Sequence, residues 1–171
     1  FEMNVLFEKY VTRVLSQALA GSGLRASGQG GHRDCLYDGD AGRFRTRPDI
    51  IIRQGDQVAM IIDTKWKRVT PRIDDPKQGV SQSDVYQLMA YAQLYNCPNV
   101  MLLYPHHGHL PPEPITQRFS IAARNAVETL FVATLNLGGT QLDHKSSLRQ
   151  LVSKCLSSTA SKTSYETLFN G

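Results

Sequence analysis

The 171 residues contain no run approaching the roughly 18 apolar residues of a membrane span, so no membrane partner is expected. No charged segment followed by an apolar one opens the chain, which argues against a signal peptide. The sequence starts at Phe1, inside what reads as a helix, and the expectation is a domain cut from a longer protein. Cysteine is sparse: Cys35, Cys97 and Cys155 are an odd set with no CxxC spacing. That excludes a disulfide framework or a zinc site as the first reading and suits a reducing cytoplasm. A Walker A sequence, GxxxxGK followed by Ser or Thr, is missing, so this chain does not hydrolyse a nucleoside triphosphate by that route. A Cys–His or G-x-S-x-G nucleophile signal is missing too. Internal repeats are absent.

What is there is ordinary for one globular domain: 41% hydrophobic and 20% charged residues, with a net charge of +4 and a pI near 9.1. The charge leans toward an anionic partner without proving one. Met3 to about Ala20 reads as an amphipathic helix, with Met3, Phe7, Tyr10, Val14 and Ala18 on one stripe. Gly21 and Gly23 stop it, and residues 21–31 read as a flexible loop. Arg33 to Tyr37 is a candidate short strand and residues 38–42 carry turn chemistry. A longer strand is predicted from about Arg43 to Arg53, turning at 54–57 into a second, Val58 to Trp66. The run Val58–Ile62 is apolar on both faces, as in a central covered strand. Residues 67–81 form a basic loop. Ser81 then looks like an N-cap with Asp84 three residues on. The following helix has Val85, Leu88, Met89 and Ala92 inward and ends before Pro98. Strands are predicted at Val100–Tyr104, Ile115–Ile121 and Glu128–Leu135, and a last helix at Asp143–Leu156. This order is that of an α/β or α+β sandwich over residues 1–156, followed by a polar, flexible tail at 157–171.

The chemistry centres on Pro48-Asp49 followed by Asp63-Thr64-Lys65. Residues i and i+2 of a strand share a face, so Asp63 and Lys65 project together, and the short turn brings Asp49 roughly opposite. Two carboxylates suit Mg²⁺, a hard ion that keeps several waters, and the Thr64 backbone carbonyl could assist. Lys65 could position an attacking water and offset transition-state charge. The plain alternative is a surface hairpin with an Asp–Lys pair. Against it, Asp63 ends an apolar run, where a lone charge is costly. Glu8 lies at the edge of the first helix's apolar stripe, from which it could reach a metal or simply stay solvated. Gln87 and Tyr91 are i and i+4 on one helix face, expected opposite the apolar stripe, and either contact the site or form a polar flank. Arg43, Arg45 and Arg47 share a face with Asp49 by period-2 counting, a ladder suited to phosphate contacts or a solvated edge. Lys67, Arg68 and Arg72 continue the positive charge. His106, His107 and His109 read as a loop rather than a metal site.

Together these residues resemble the PD-(D/E)XK nuclease superfamily, whose pattern here is Pro48-Asp49 and Asp63-Thr64-Lys65. Gln87-Leu88-Met89-Ala90-Tyr91 is similar to the QxxxY element of its RecB-like branch. More closely, Met3–Val11, Arg47-Pro48-Asp49-Ile50, Ile62–Lys67, Asp84–Tyr91 and Leu102–His106 resemble, in order, the nuclease domain of the McrC family. The resemblance implies the restriction-endonuclease-like fold, a central mixed sheet flanked by helices. It implies a Mg²⁺-dependent endonuclease (Mn²⁺ substituting) acting on double-stranded DNA in a modification-dependent restriction system, with a McrB-like GTP-hydrolysing AAA+ motor as partner. Asp49, Asp63 and Lys65 would be the catalytic core, with Glu8 assisting the metal, Gln87 supporting the site, and Arg43, Arg45, Arg47, Lys67, Arg68 and Tyr91 on the DNA. The family's motor-contacting N-terminal region is not among these residues. Two rival readings remain: a catalytically silent DNA-binding or scaffold module, and a stand-alone RecB-type exonuclease or repair nuclease.

Overall fold

The computed structural model describes residues 2–69, 77, 79–121 and 128–169, with side chains as far as residue 158. The elements run α1 (Met3–Ala18), β1 (Leu24–Gly28), β2 (Arg33–Asp38), β3 (Ala41–Thr46), β4 (Ile50–Gln54), β5 (Gln57–Thr64), α2 (Gln82–Leu94), β6 (Asn99–Pro105), β7 (Ile115–Ile121), β8 (Glu128–Leu135) and α3 (Gln141–Phe169). Six strands form one mixed sheet in the order β1-β4-β5-β6-β8-β7, and β2 and β3 form a separate two-stranded sheet. β5, β6 and β8 are parallel neighbours, and the remaining pairs of the large sheet are antiparallel.

Alternation along the strands explains the layering. Ile50, Ile52, Met60, Ile62, Met101 and Leu103 face a core built with Phe7, Val11, Val14 and Leu15 of α1 and Leu148, Leu151 and Val152 of α3. Ile51, Ile61, Val100, Leu102 and Tyr104 face a second core under Leu88, Tyr91 and Ala92 of α2. The Val58–Ile62 run is therefore covered on both sides, as its composition predicted. Each fully buried Ile or Leu contributes about 1.5–3 kcal/mol of apolar burial, so these central strands hold the domain together.

Several expectations need correction. The 21–31 loop contains β1, an edge strand whose Gly28 pairs with Ile50 and whose Leu24 and Ala26 pack on the first core. Its short, glycine-rich sequence hides the alternation, and Gly28 is needed where the strand crosses α1: a Cβ there would meet Thr12 Cγ2 at 2.9 Å. The single strand expected from Arg43 to Arg53 is two, β3 and β4. Phe44 has a left-handed φ of 53°, and Pro48 cannot donate to a ladder, so period-2 counting does not carry through this stretch. Ser81 does occupy the N-cap position, but its hydroxyl pairs with that of Ser83 rather than capping a backbone N–H, and Asp84 turns elsewhere. Finally, Tyr91 belongs to the buried face of α2, 4% exposed, rather than opposite it, while Val85 and Met89 are only partly buried. The last helix continues past Leu156 to Phe169.

β4 and β5 pair as Ile50↔Ile62, Ile51↔Ile61 and Ile52↔Met60, then slip by one residue to Arg53↔Val58. Ala59 is the extra residue of this bulge, and the buried Asn99 amide donates to its carbonyl at 3.0 Å. Extending the upper register by one step sets Asp49 across from Asp63.

Candidate active site

Three elements deliver the site. Asp49 immediately precedes β4, Asp63 and Thr64 end β5, and Lys65 follows, its backbone N–H still donating to Leu103 O of β6 at 2.9 Å. This is the carboxyl end of a parallel pair, where open α/β sheets place their ligand sites. Asp49 is fixed by Thr64, whose backbone N–H and hydroxyl both donate to Oδ2, at 2.8 and 2.9 Å. Asp63 is 3% exposed and faces Lys65 Nζ at 2.8 Å. Burial pushes the Asp63 carboxyl up to about 6, and the Asp49 charge adds to this while Lys65 opposes it. Burial works against the Lys65 charge, but its contacts with Asp63, Asp84 and Asp49 together keep its pKa above the ordinary lysine value.

Asp84, expected only as part of a cap, lies with these groups: Lys65 Nζ is 3.5 Å from Oδ1 and Lys67 Nζ 2.7 Å from Oδ2. Its signal was present in the spacing, since Asp84, Gln87 and Tyr91 are i, i+3 and i+7 on α2. Gln87 does not point free into the site. Its Nε2 donates to the Tyr91 hydroxyl at 2.7 Å. Burial raises the Tyr91 pKa, Gln87 opposes the rise, and the charges of Asp63 and Asp49 add to it.

On the other side, α1 is seated by Asn4, whose Oδ1 accepts the Trp66 N–H at 2.9 Å, and by Phe7, edge-on to Trp66 at 5.5 Å. Glu8 is one helical turn beyond Asn4 and half-buried. Burial raises its pKa, a hydrogen bond from Gln29 opposes this, and Asp49 raises it again, so Glu8 feels the Asp49 charge. Gln29 was not foreseen, because a polar residue in a glycine-rich stretch carries no periodic signal.

The arginines are dispersed. Arg47 hydrogen-bonds to Gln29 Oε1 at the edge of the site. Arg43 and Arg45 sit on the β2–β3 hairpin, 3.7 Å from Asp38 and Asp34 respectively. Arg68 is exposed after Lys67, and Arg72 lies outside the described residues. His106 meets Thr134 Oγ1 at 3.0 Å and His107 meets Val69 O at 2.8 Å, each engaged separately.

Among the described residues no three His, Cys, Asp or Glu side chains form a closed metal cage. The donor set nevertheless fits a hard divalent ion, which takes one or two carboxylates and keeps its waters. Asp63 Oδ2 is fully buried, with the Lys65 ammonium 2.8 Å away and the Asp49 charge opposing its ionisation. A buried carboxylate oxygen in that state is stabilised by added positive charge.

The mixed sheet, flanked by helices, brings two acids and the lysine of the D-x-K triplet to adjacent strand ends, an arrangement consistent with a nuclease-like fold. Comparison with known proteins narrows the class. Residues 1–105 match the family model described as McrBC 5-methylcytosine restriction system component, and the chain belongs to that family. The fold is also similar to a chain in a solved half-complex from the tetradecameric assembly of Thermococcus gammatolerans McrB AAA+ hexamers with bound McrC: TM-score 0.61, 19% identity, covering 89% of this chain. The present chain spans 33% of the length of that one. No curated protein matches it. Among the described residues no helix is long and apolar enough to cross a membrane.

Proposed function

We propose that this chain is the Mg²⁺-dependent DNA endonuclease part of a McrBC-like restriction system, working in the cytoplasm with a GTP-driven McrB-like AAA+ motor. The observation that carries the reading is the pairing of Asp49 with a buried, high-pKa Asp63 and with Lys65 at neighbouring strand ends.

Asp49 and Asp63 would hold the ion, with Glu8 and the Thr64 carbonyl completing its protein contacts and Mn²⁺ able to replace it. When bound, the ion polarises a phosphate and lowers the pKa of water. Thr64 keeps Asp49 from swinging away, through two hydrogen bonds to one oxygen. Lys65 carries its charge at the place where negative charge develops on the phosphorane, and its tie to Asp84 limits its freedom. Tyr91, locked by Gln87, closes the α2 side. Arg47, Lys67 and Arg68 border the site and suit backbone phosphates, which position a duplex without reading its sequence.

The test is cleavage of a supercoiled plasmid carrying 5-methylcytosine by the full-length protein with its motor and GTP. Cleavage is expected in Mg²⁺ and lost in EDTA or with Asp63→Ala. Equal cleavage by both proteins, or in EDTA, refutes the metal-nuclease reading. A silent module would cut under no condition, and a strict exonuclease would leave the closed circle intact.

A further inference from the structure

Gln29 follows β1 at a left-handed φ of 50°, a conformation a non-glycine residue holds where its surroundings fix it. Its backbone N–H donates to Asp49 O at 2.9 Å, which continues the β1–β4 register by one step. Gln29, Asp49 and Asp63 are thus successive members of one row across three strands. The side chain makes two contacts. Nε2 donates to Glu8 Oε1 at 2.8 Å, and Oε1 accepts from Arg47 Nη2. An amide is one of the few side chains able to give a hydrogen bond to a carboxylate and take one from a guanidinium at the same time. An acid in this position would repel Glu8, and an amine would repel Arg47.

We propose that Gln29 is a positioning residue that joins the two halves of the site, aiming Glu8 toward the Asp49–Asp63 pair while holding the Arg47 guanidinium at the phosphate side. The inference rests on the nuclease reading above and extends it: ion binding through Glu8 and DNA binding through Arg47 share one side chain, so each should strengthen the other. Such coupling is reciprocal by thermodynamic necessity. Asp49 contributes to both halves as well, because its carbonyl fixes the Gln29 backbone while its carboxylate faces Thr64.

The experiment uses the full-length protein and Ca²⁺, to avoid turnover. Calorimetry measures Ca²⁺ affinity, and fluorescence anisotropy measures affinity for a short duplex in Ca²⁺ and in EDTA. Gln29→Ala is expected to weaken Ca²⁺ binding about 10-fold, as loss of an orienting partner does. It should also weaken duplex binding in EDTA about five-fold. Because Gln29 acts through its neighbours, it should add no further Ca²⁺ loss in a Glu8→Ala background and no further DNA loss in an Arg47→Ala background. The gain in Ca²⁺ affinity on adding duplex, present in the wild type, should vanish in Gln29→Ala. Losses as large in those backgrounds as in the wild type overturn the proposal, as does an unchanged gain. Asp63→Ala separates the two ideas. If it leaves Ca²⁺ affinity intact the metal reading itself falls, whereas an Asp63-dependent ion with additive Gln29 effects removes only the coupling. Matching melting temperatures among the variants guard against unfolding as the cause.

Discussion

Asp63 and Asp34 each face a basic side chain, but in opposite settings. Asp63 is buried and 2.8 Å from Lys65, at a strand end covered by α2. Asp34 faces Arg45 across 3.7 Å on the β2–β3 hairpin, where the Arg45 side chain is 69% exposed. The hairpin also shows Leu36, Tyr37 and Phe44 to solvent, Phe44 at 76%. Its base is fastened: Arg33 lies over the Tyr95 ring at 5.0 Å, and Thr46 Oγ1 is 3.0 Å from the Tyr95 hydroxyl. The same residue types therefore have different consequences. Desolvation at the strand end amplifies each charge and shifts its pKa, while water at the hairpin screens the pairs until they are worth little.

The largest expected difference is in chemistry. Lys65→Met should reduce Mg²⁺-dependent cleavage about 100-fold or more, as loss of a charge facing a transition state does. Arg43→Ala should leave the cleavage rate at saturating DNA unchanged. A rate constant for each, measured by single-turnover plasmid cleavage, checks the pair. Next comes the pH dependence of folding in the absence of divalent ions. The folded-state pKa of Asp63 is raised from 3.8 to about 6, so its contribution is favourable at low pH and is lost as the pH rises through about 6. The wild type should lose about 2 kcal/mol relative to Asp63→Asn between pH 4 and pH 7. Urea melts at several pH values measure it, and a slope that Asp63→Asn leaves intact would assign it elsewhere.

Thr64→Val removes one of the two bonds to Asp49 and should cost about 1 kcal/mol, with a larger fall in cleavage than in stability. On the hairpin, Arg45→Ala should weaken duplex binding modestly and flatten its salt dependence by about one phosphate contact. Its stability should stay within about 0.5 kcal/mol of the wild type. One further effect on the hairpin is a gain. Phe44→Gly relieves the left-handed backbone and should stabilise the hairpin by about 1 kcal/mol in thermal melts.

Much of the fold was legible because burial on two sides leaves continuous apolar runs. β5, β6 and β8 were readable in that way, and β7 and β8 have the bounds the sequence predicted. β1 was not, since an edge strand with three small residues has little periodicity to show. The break between β3 and β4 escaped because alternation assumes strand dihedrals, which Phe44 does not keep, and a full set of ladder donors, which Pro48 lacks. In the site, the placement of Asp49 near Asp63 and Lys65 followed from a short turn and a period of two. Asp84 and Gln29 did not follow. Asp84 was given a local capping role that the lysines of another segment displaced, and the partners of Gln29 lie on α1 and before β4. Long-range polar contacts leave no trace in sequence spacing.

The Ala59 bulge acts as a phase shifter. If Ala59 paired with Ile52 instead of bulging out, the lower pairing of Arg53 with Val58 would run on to the strand end, and Asp49 would lie across from Ile62 instead of Asp63. The Asn99 amide, reaching from the start of β6 to the Ala59 carbonyl, is a catch on that offset at the far end of the strand from the acids. Drawing Ala59 into the ladder, opposite Ile52, would therefore separate the two carboxylates without touching either of them.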